Sequence, residues 1–123
     1  MANPNLQGSY MKLALIAILA AVLLVPAAFA STPTLNGTVG PGFTITLTKG
    51  GKKVTKLTHG TYVFKIADKS AIHNFHLKGP GVDKKTSVKF VGSKTWHVTL
   101  KKGKYTYLCD PHKALMTRHF TAT

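Results

Sequence analysis

The sequence predicts an all-β domain, a sandwich or barrel of short strands behind an apolar N-terminal segment. Three observations predict it. Short runs alternate apolar and polar side chains with period two, as in Phe43-Thr-Ile-Thr-Leu47. Turn signals rich in Gly, Lys and Asp break these runs, as in Lys49-Gly-Gly-Lys-Lys53 and Lys101-Lys-Gly-Lys104. No segment after residue 30 carries a convincing helical period.

The elements follow in chain order. Residues 1–10 are polar and unpatterned, and Met11-Lys12 has the look of a second start. Leu13 to Val25 is thirteen unbroken apolar residues, followed by Pro26 and by Ala27-Ala-Phe-Ala30. One lysine, an apolar stretch of that length and an Ala-x-Ala site predict a signal peptide over 1–30, cleaved before Ser31. An uncleaved anchor is the competing reading, since Leu13 to Ala30 reaches eighteen residues if Pro26 is tolerated. Either way the domain is exported, to a periplasm or to the outer face of a cytoplasmic membrane. Residues 31–42, rich in Thr, Pro, Asn and Gly, read as a flexible tether, leaving the domain itself to 43–123.

Within that domain the run from Gly60 places Tyr62, Phe64 and Ile66 on one side and Val63 and Lys65 on the other. Ile72 to Leu77 is the next expected strand, then Thr86 to Val91 and Thr95 to Leu100. Lys104 to Leu108 follows, and His119 to Thr123 closes the chain. Phe43, Ile45, Leu47, Phe64, Val98, Tyr105 and Phe120 are among the expected core residues.

Composition narrows the function. The chain has 123 residues, enough for one domain. Lys12 is the only charged residue in the first thirty, so 31–123 carry 16 basic and three acidic side chains, a formal net charge of +13. Such a surface favours anionic partners. Nucleic acid is excluded as the main one: there is a single Arg, no basic helix and no RNA-binding or finger signature. The domain is expected to be a monomer.

The chemistry concentrates in Cys109-Asp-Pro-His112-Lys-Ala-Leu-Met116, which holds the only cysteine. A lone cysteine in an exported protein forms no intrachain disulfide and is a pairing, reactive or ligating thiol. A thiolate with neutral imidazole suits copper, and a weak axial thioether is the usual third partner. Pro111 fixes its own backbone and biases Asp110 away from helix, which helps the chain turn back. The blander reading is a buried thiol, a surface histidine and a core methionine. A copper site of this kind needs a second imidazole, and there are six histidines, at 59, 73, 76, 97, 112 and 119. On a strand, His73 and His76 point to opposite faces, so only one of them can face the site. His59, His97 and His119 read as surface residues.

Cys-x2-His-x3-Met after a strand resembles the ligand loop of the cupredoxins, the blue-copper family that includes plastocyanin, amicyanin and pseudoazurin. The resemblance extends to His73-Asn74, to Trp96-His-Val-Thr-Leu100 and to Gly103-Lys-Tyr-Thr-Tyr107, and so covers about 43–123. It implies a cupredoxin-like Greek-key β-sandwich of about seven to eight strands. It implies one copper ion, Cu(I)/Cu(II), held by His73, Cys109, His112 and Met116. It chooses His73 over His76, because in the family the early histidine is followed by Asn. It further implies that the Asn74 N–H donates to the cysteine sulfur and its side chain braces the ligand loop, and that Pro111 leaves a second N–H to sulfur missing. Related sequences carry Gly two residues after the methionine; this chain has Arg118, strained if a positive φ is required there.

The leading function is therefore one-electron transfer, without enzymatic activity. By family analogy His112 is the electron port, with Pro111, Ala114 and Leu115 as an apolar docking patch. The partner is a redox protein with an acidic surface, and a membrane is met only through the N-terminal segment. The alternative is copper transport, storage or delivery with the same ligands. A Cys-His hydrolase would need an orienting third group and an oxyanion site, and leaves Met116 and His73 without a role.

Overall fold

In the longest strands, side chains alternate between an apolar face and a wet one. From Gly60 to Asp68, Tyr62, Phe64 and Ile66 are buried while Thr61 and Lys65 are exposed. The computed structural model describes residues 21–123, and the same alternation runs through most of its strands. In order these are β1 (Thr34–Val39), β2 (Ile45–Lys49), β3 (Lys52–Lys53), β4 (Lys56–Leu57), β5 (Gly60–Asp68), β6 (His76–Gly79), β7 (Val82–Lys85), β8 (Gly92–Leu100), β9 (Gly103–Leu108) and β10 (Thr117–Ala122). A 3-10 turn, Asp110–His112, lies between the last two.

The strands form two five-stranded sheets, ordered β3-β2-β1-β5-β8 and β4-β10-β9-β6-β7. The pairs β1–β5 and β10–β4 are parallel and the others antiparallel. The inward faces meet in a sandwich core that includes Leu35, Leu47, Phe64, Phe75, Tyr105, Tyr107 and Phe120. Phe75 stacks on Tyr107, and Tyr105 on Phe120, with centroids 5.6 and 5.1 Å apart. Each such pair adds about 0.5–1.5 kcal/mol beyond its buried area. Two strands, β3 and β4, are only two residues long, and the other eight make the predicted sandwich.

Four expectations about elements need correction. The tether over 31–42 does not hold at 34–39: β1 lies between β2 and β5, with Leu35 and Val39 fully buried. Its polar composition hid it, because Thr34, Asn36 and Thr38 alternate with the residues that point inward. Thr86 to Val91 is not a strand; β7 precedes it and β8 begins at Gly92. Ile72 to Phe75 also lie outside β6, so the strand parity that set His73 against His76 has no strand to act on. Phe43 is 53% exposed rather than core.

The strand directions give the sandwich two ends. β1, β5 and β9 end at Val39, Asp68 and Leu108, next to Gly40, Ser70 and Cys109. The functional residues gather there. Residues 21–33 have no regular secondary structure and are exposed. Of the signal-peptide region, residues 1–20 lie outside the described residues. No helix among the described residues is long and apolar enough to cross a membrane.

Candidate metal centre

β9 delivers Cys109 in extended backbone, φ −99° and ψ 119°, and the chain turns at once. Pro111 stands in the first turn of the 3-10 segment, where its missing N–H is no loss. The loop is closed by its own main chain. His112 N donates to Cys109 O at 3.1 Å, Met116 N to His112 O at 2.9 Å, and Cys109 N to Met116 O at 2.9 Å. Thr117 then opens β10 with ordinary strand backbone. Among the described residues no side-chain-bearing residue has a positive φ, so Arg118 is not strained.

His73 comes from the turn after β5, where its N–H donates to Ser70 O at 3.3 Å. Gly40 packs against this turn at φ 73°; a Cβ there would lie 2.9 Å from Ser70 Cβ and 3.3 Å from His73 Cδ2. A side chain at 40 would be strained and would crowd the imidazole.

Three of the four residues singled out from sequence meet at one point. His73 Nδ1 and His112 Nδ1 are 3.0 Å apart, and each is 3.6 Å from Cys109 Sγ. A triangle with those sides has its corners about 2.0 Å from a common centre, the length of a metal bond to imidazole nitrogen and about 0.3 Å short of one to thiolate. His73 makes its polar contacts only through Nδ1, and its Nε2 is buried without a partner. Three soft or borderline donors facing one another suit a thiophilic cation. The donors present therefore fit a trigonal metal.

Burial sets their roles apart. Cys109 and His73 are fully buried, whereas His112 is partly exposed. Phe43 stands edge-on to both imidazoles, its centroid 5.3 Å from His73 and 5.0 Å from His112. Met116 is the fourth residue named from sequence. Its side chain is buried and its main chain is bonded to Cys109 and His112. Cys109 is a free thiol and is buried.

Behind the donors lies a polar network. Asn74 N–H donates to Cys109 Sγ at 3.5 Å. Its side chain accepts from Asp110 N at 2.7 Å and donates to Asp110 Oδ2 at 2.7 Å and Thr86 O at 3.2 Å. Thr86 accepts from Phe75 N at 2.9 Å and donates to Asp68 Oδ2 at 3.1 Å. His76 is turned away from the donors. Its Nδ1 faces Asp110, and its Nε2 faces Asp83 Oδ1 at 2.6 Å. Burial pushes the Asp110 carboxyl up, and hydrogen bonds from His76 and Asn74 outweigh that and hold it below its ordinary value. Burial raises Asp68.

Sequence reasoning missed Asp68, Asp83, Asp110, Thr86 and Phe43. One signal could have found three of them: the chain has only three acids, and all three stand in this network. His59, His97 and His119 are exposed; His59 bonds Thr123 O, and His119 bonds Thr106 Oγ1.

The sandwich matches several solved structures. The copper protein rusticyanin aligns with TM-score 0.57 at 16% identity, over 76% of this chain and 79% of that one. Auracyanin from the photosynthetic bacterium Roseiflexus castenholzii aligns with TM-score 0.50 at 19% identity, over 76% of this chain and 99% of that one. The chain has the cupredoxin fold. A multi-copper oxidase from Pediococcus acidilactici aligns with TM-score 0.52 at 14% identity, over 76% of this chain and 26% of that one. No sequence-family model and no curated protein sequence matches the chain.

Proposed function

We propose that this cupredoxin is an exported one-electron carrier. In this reading one copper ion is held by His73, Cys109 and His112, with Met116 as a weak axial ligand. The observation that carries it is the triangle of two imidazole nitrogens and one buried thiol, spaced for a single metal. Bound there, copper would supply the redox chemistry by cycling between Cu(I) and Cu(II).

The chain's residues do the rest. Asn74 N–H shares the sulfur's charge and ties the His73 turn to the Cys109 loop. The close main-chain bonds of 109–116 keep the donors from rearranging between oxidation states. His112, partly exposed, is the proposed electron port, and exposed Pro111, Ala114 and Leu115 beside it offer an apolar docking patch. Lys113 in the same loop favours an acidic redox partner. Export is supported by the Ala-x-Ala site and by the exposure of Val22 to Val25 and Phe29, which nothing in the domain covers.

Titration of the protein with Cu(II), followed by its absorption spectrum, tests this. One equivalent should give intense visible thiolate-to-copper charge transfer, abolished by Cys109→Ser. A colourless stoichiometric complex would sink the blue-copper assignment. Coloured protein that exchanges no electrons but hands copper to an acceptor would make it a copper carrier.

A further inference from the structure

We infer that the end of the sandwich opposite the His73–Cys109–His112 cluster is a docking face for an anionic phospholipid surface. Strand register locates that face. β2 leaves the site end at Ile45 and reaches Lys49, which pairs with Lys52 across the turn. β4 pairs Lys56 with Thr121 near the end of β10, away from Cys109. β8 ends at Leu100, opposite Gly60, so Lys101 and Lys102 lie at the same end. Lys49, Lys52, Lys53 and Lys56 line one recess of about 240 Å³ beside Tyr62, and all four are exposed.

No acidic side chain offsets this charge. Asp68 and Asp110 stand in the network at the site end, and Asp83 is bonded to His76. Lysines also ring the site end, so charge alone does not distinguish the two. The entry of the chain does. β1 begins at Thr34, paired with Val63 near the start of β5, so the apolar segment before it joins the domain at the lysine end. Val22, Leu23, Leu24, Val25 and Phe29 are each 79–96% exposed. Retained as the uncleaved anchor, this apolar segment next to a basic face free of acidic side chains is the arrangement that meets a bilayer carrying negative headgroups. Lysine stems can lie along that surface with their ammonium groups among phosphates. Docked so, the domain turns His112 away from the lipid. Lipid is favoured over an acidic protein because an acidic protein would leave the neighbouring apolar segment unexplained.

The test is sedimentation of the full chain with vesicles of phosphatidylcholine alone, or with phosphatidylglycerol in equal parts. It needs no copper, so its outcome is separate from that of the redox reading. One variant replaces Lys49, Lys52, Lys53 and Lys56 by Gln. A control of equal charge replaces Lys69, Lys84, Lys85 and Lys89 by Gln, and thermal unfolding checks that both fold. The wild type should prefer the anionic vesicles, and the first variant should lose that preference by at least about tenfold while the control keeps most of it. Equal losses would reduce the effect to bulk charge and overturn the proposal, as would a wild type with no preference for phosphatidylglycerol. If the first variant loses affinity for polyglutamate but not for vesicles, the face is for an acidic protein and the lipid proposal is wrong.

Discussion

His76 holds its Nδ1 2.9 and 3.0 Å from the two carboxylate oxygens of Asp110, the residue directly after Cys109. Its other nitrogen faces Asp83, so both nitrogens are occupied by carboxylates. His76 thus ties β6 and β7 to the loop that carries the cysteine, and it has no nitrogen left for a metal.

That contact separates the two histidines experimentally. His73→Ala should abolish the visible copper band. His76→Ala should keep it, at a stability cost of about 1–3 kcal/mol, because Asp110 loses one partner and keeps Asn74. Copper titration and urea unfolding of both variants check this. Loss of the band only in His76→Ala would reverse the assignment.

The Asp83 end of the same bridge gives a pH dependence. The hydrogen bond from His76 is the main reason its carboxyl lies below the ordinary value of 3.8. A depressed carboxyl stabilises the fold above its unfolded value, and that contribution is lost as pH falls through the folded value. Asp83→Asn should therefore be less stable than the wild type at pH 5, with the gap closing below pH about 4. Buried Asp68 is raised and works in the opposite direction. The Asp83 side chain is 70% exposed, so added salt should shrink the gap. Urea midpoints of the metal-free protein across that range give the answer. A gap independent of pH would mean that Asp83 acts by packing alone.

Met116 is buried, and its main chain is bonded to both Cys109 and His112. If its thioether is the weak axial ligand, Met116→Gln should keep copper and change the visible spectrum and the potential, since the axial ligand tunes both. An unchanged spectrum and potential would point to another axial group.

The fold class was legible because period-two alternation survives in strands with one wet face, as in β5 and β2. β1 was hidden for a related reason. Thr34-Leu-Asn-Gly-Thr-Val39 has few apolar residues and resembles a linker until its parallel pairing with β5 buries Leu35 and Val39. The donor cluster was legible in part. Cys109, His112 and Met116 are close in sequence, but His73 joins them from 36 residues before the cysteine, and only the family pattern His73-Asn74 pointed to it. Parity left the choice between His73 and His76 open, and the strand it assumed does not extend to His73. The network behind the donors was not legible, because hydrogen bonds such as Asp110–His76 link residues with no shared motif. Phe43 was misread because an aromatic that begins an alternating run is ordinarily core.

Phe43 is half exposed and edge-on to both imidazoles. The apolar shell around a metal site controls water access and hence redox potential. Removing the ring admits water, which favours whichever oxidation state carries more charge. With one thiolate and two neutral imidazoles that is Cu(II), so Phe43→Ala should lower the potential. An extra solvation of about 1 kcal/mol corresponds to about 40 mV for one electron. Phe43→Leu, which restores an apolar cover, should recover most of the shift. Voltammetry of the three copper-loaded proteins measures it. A potential that rises in Phe43→Ala, or one that Leu fails to restore, would show that the ring acts on the imidazoles by some route other than excluding water.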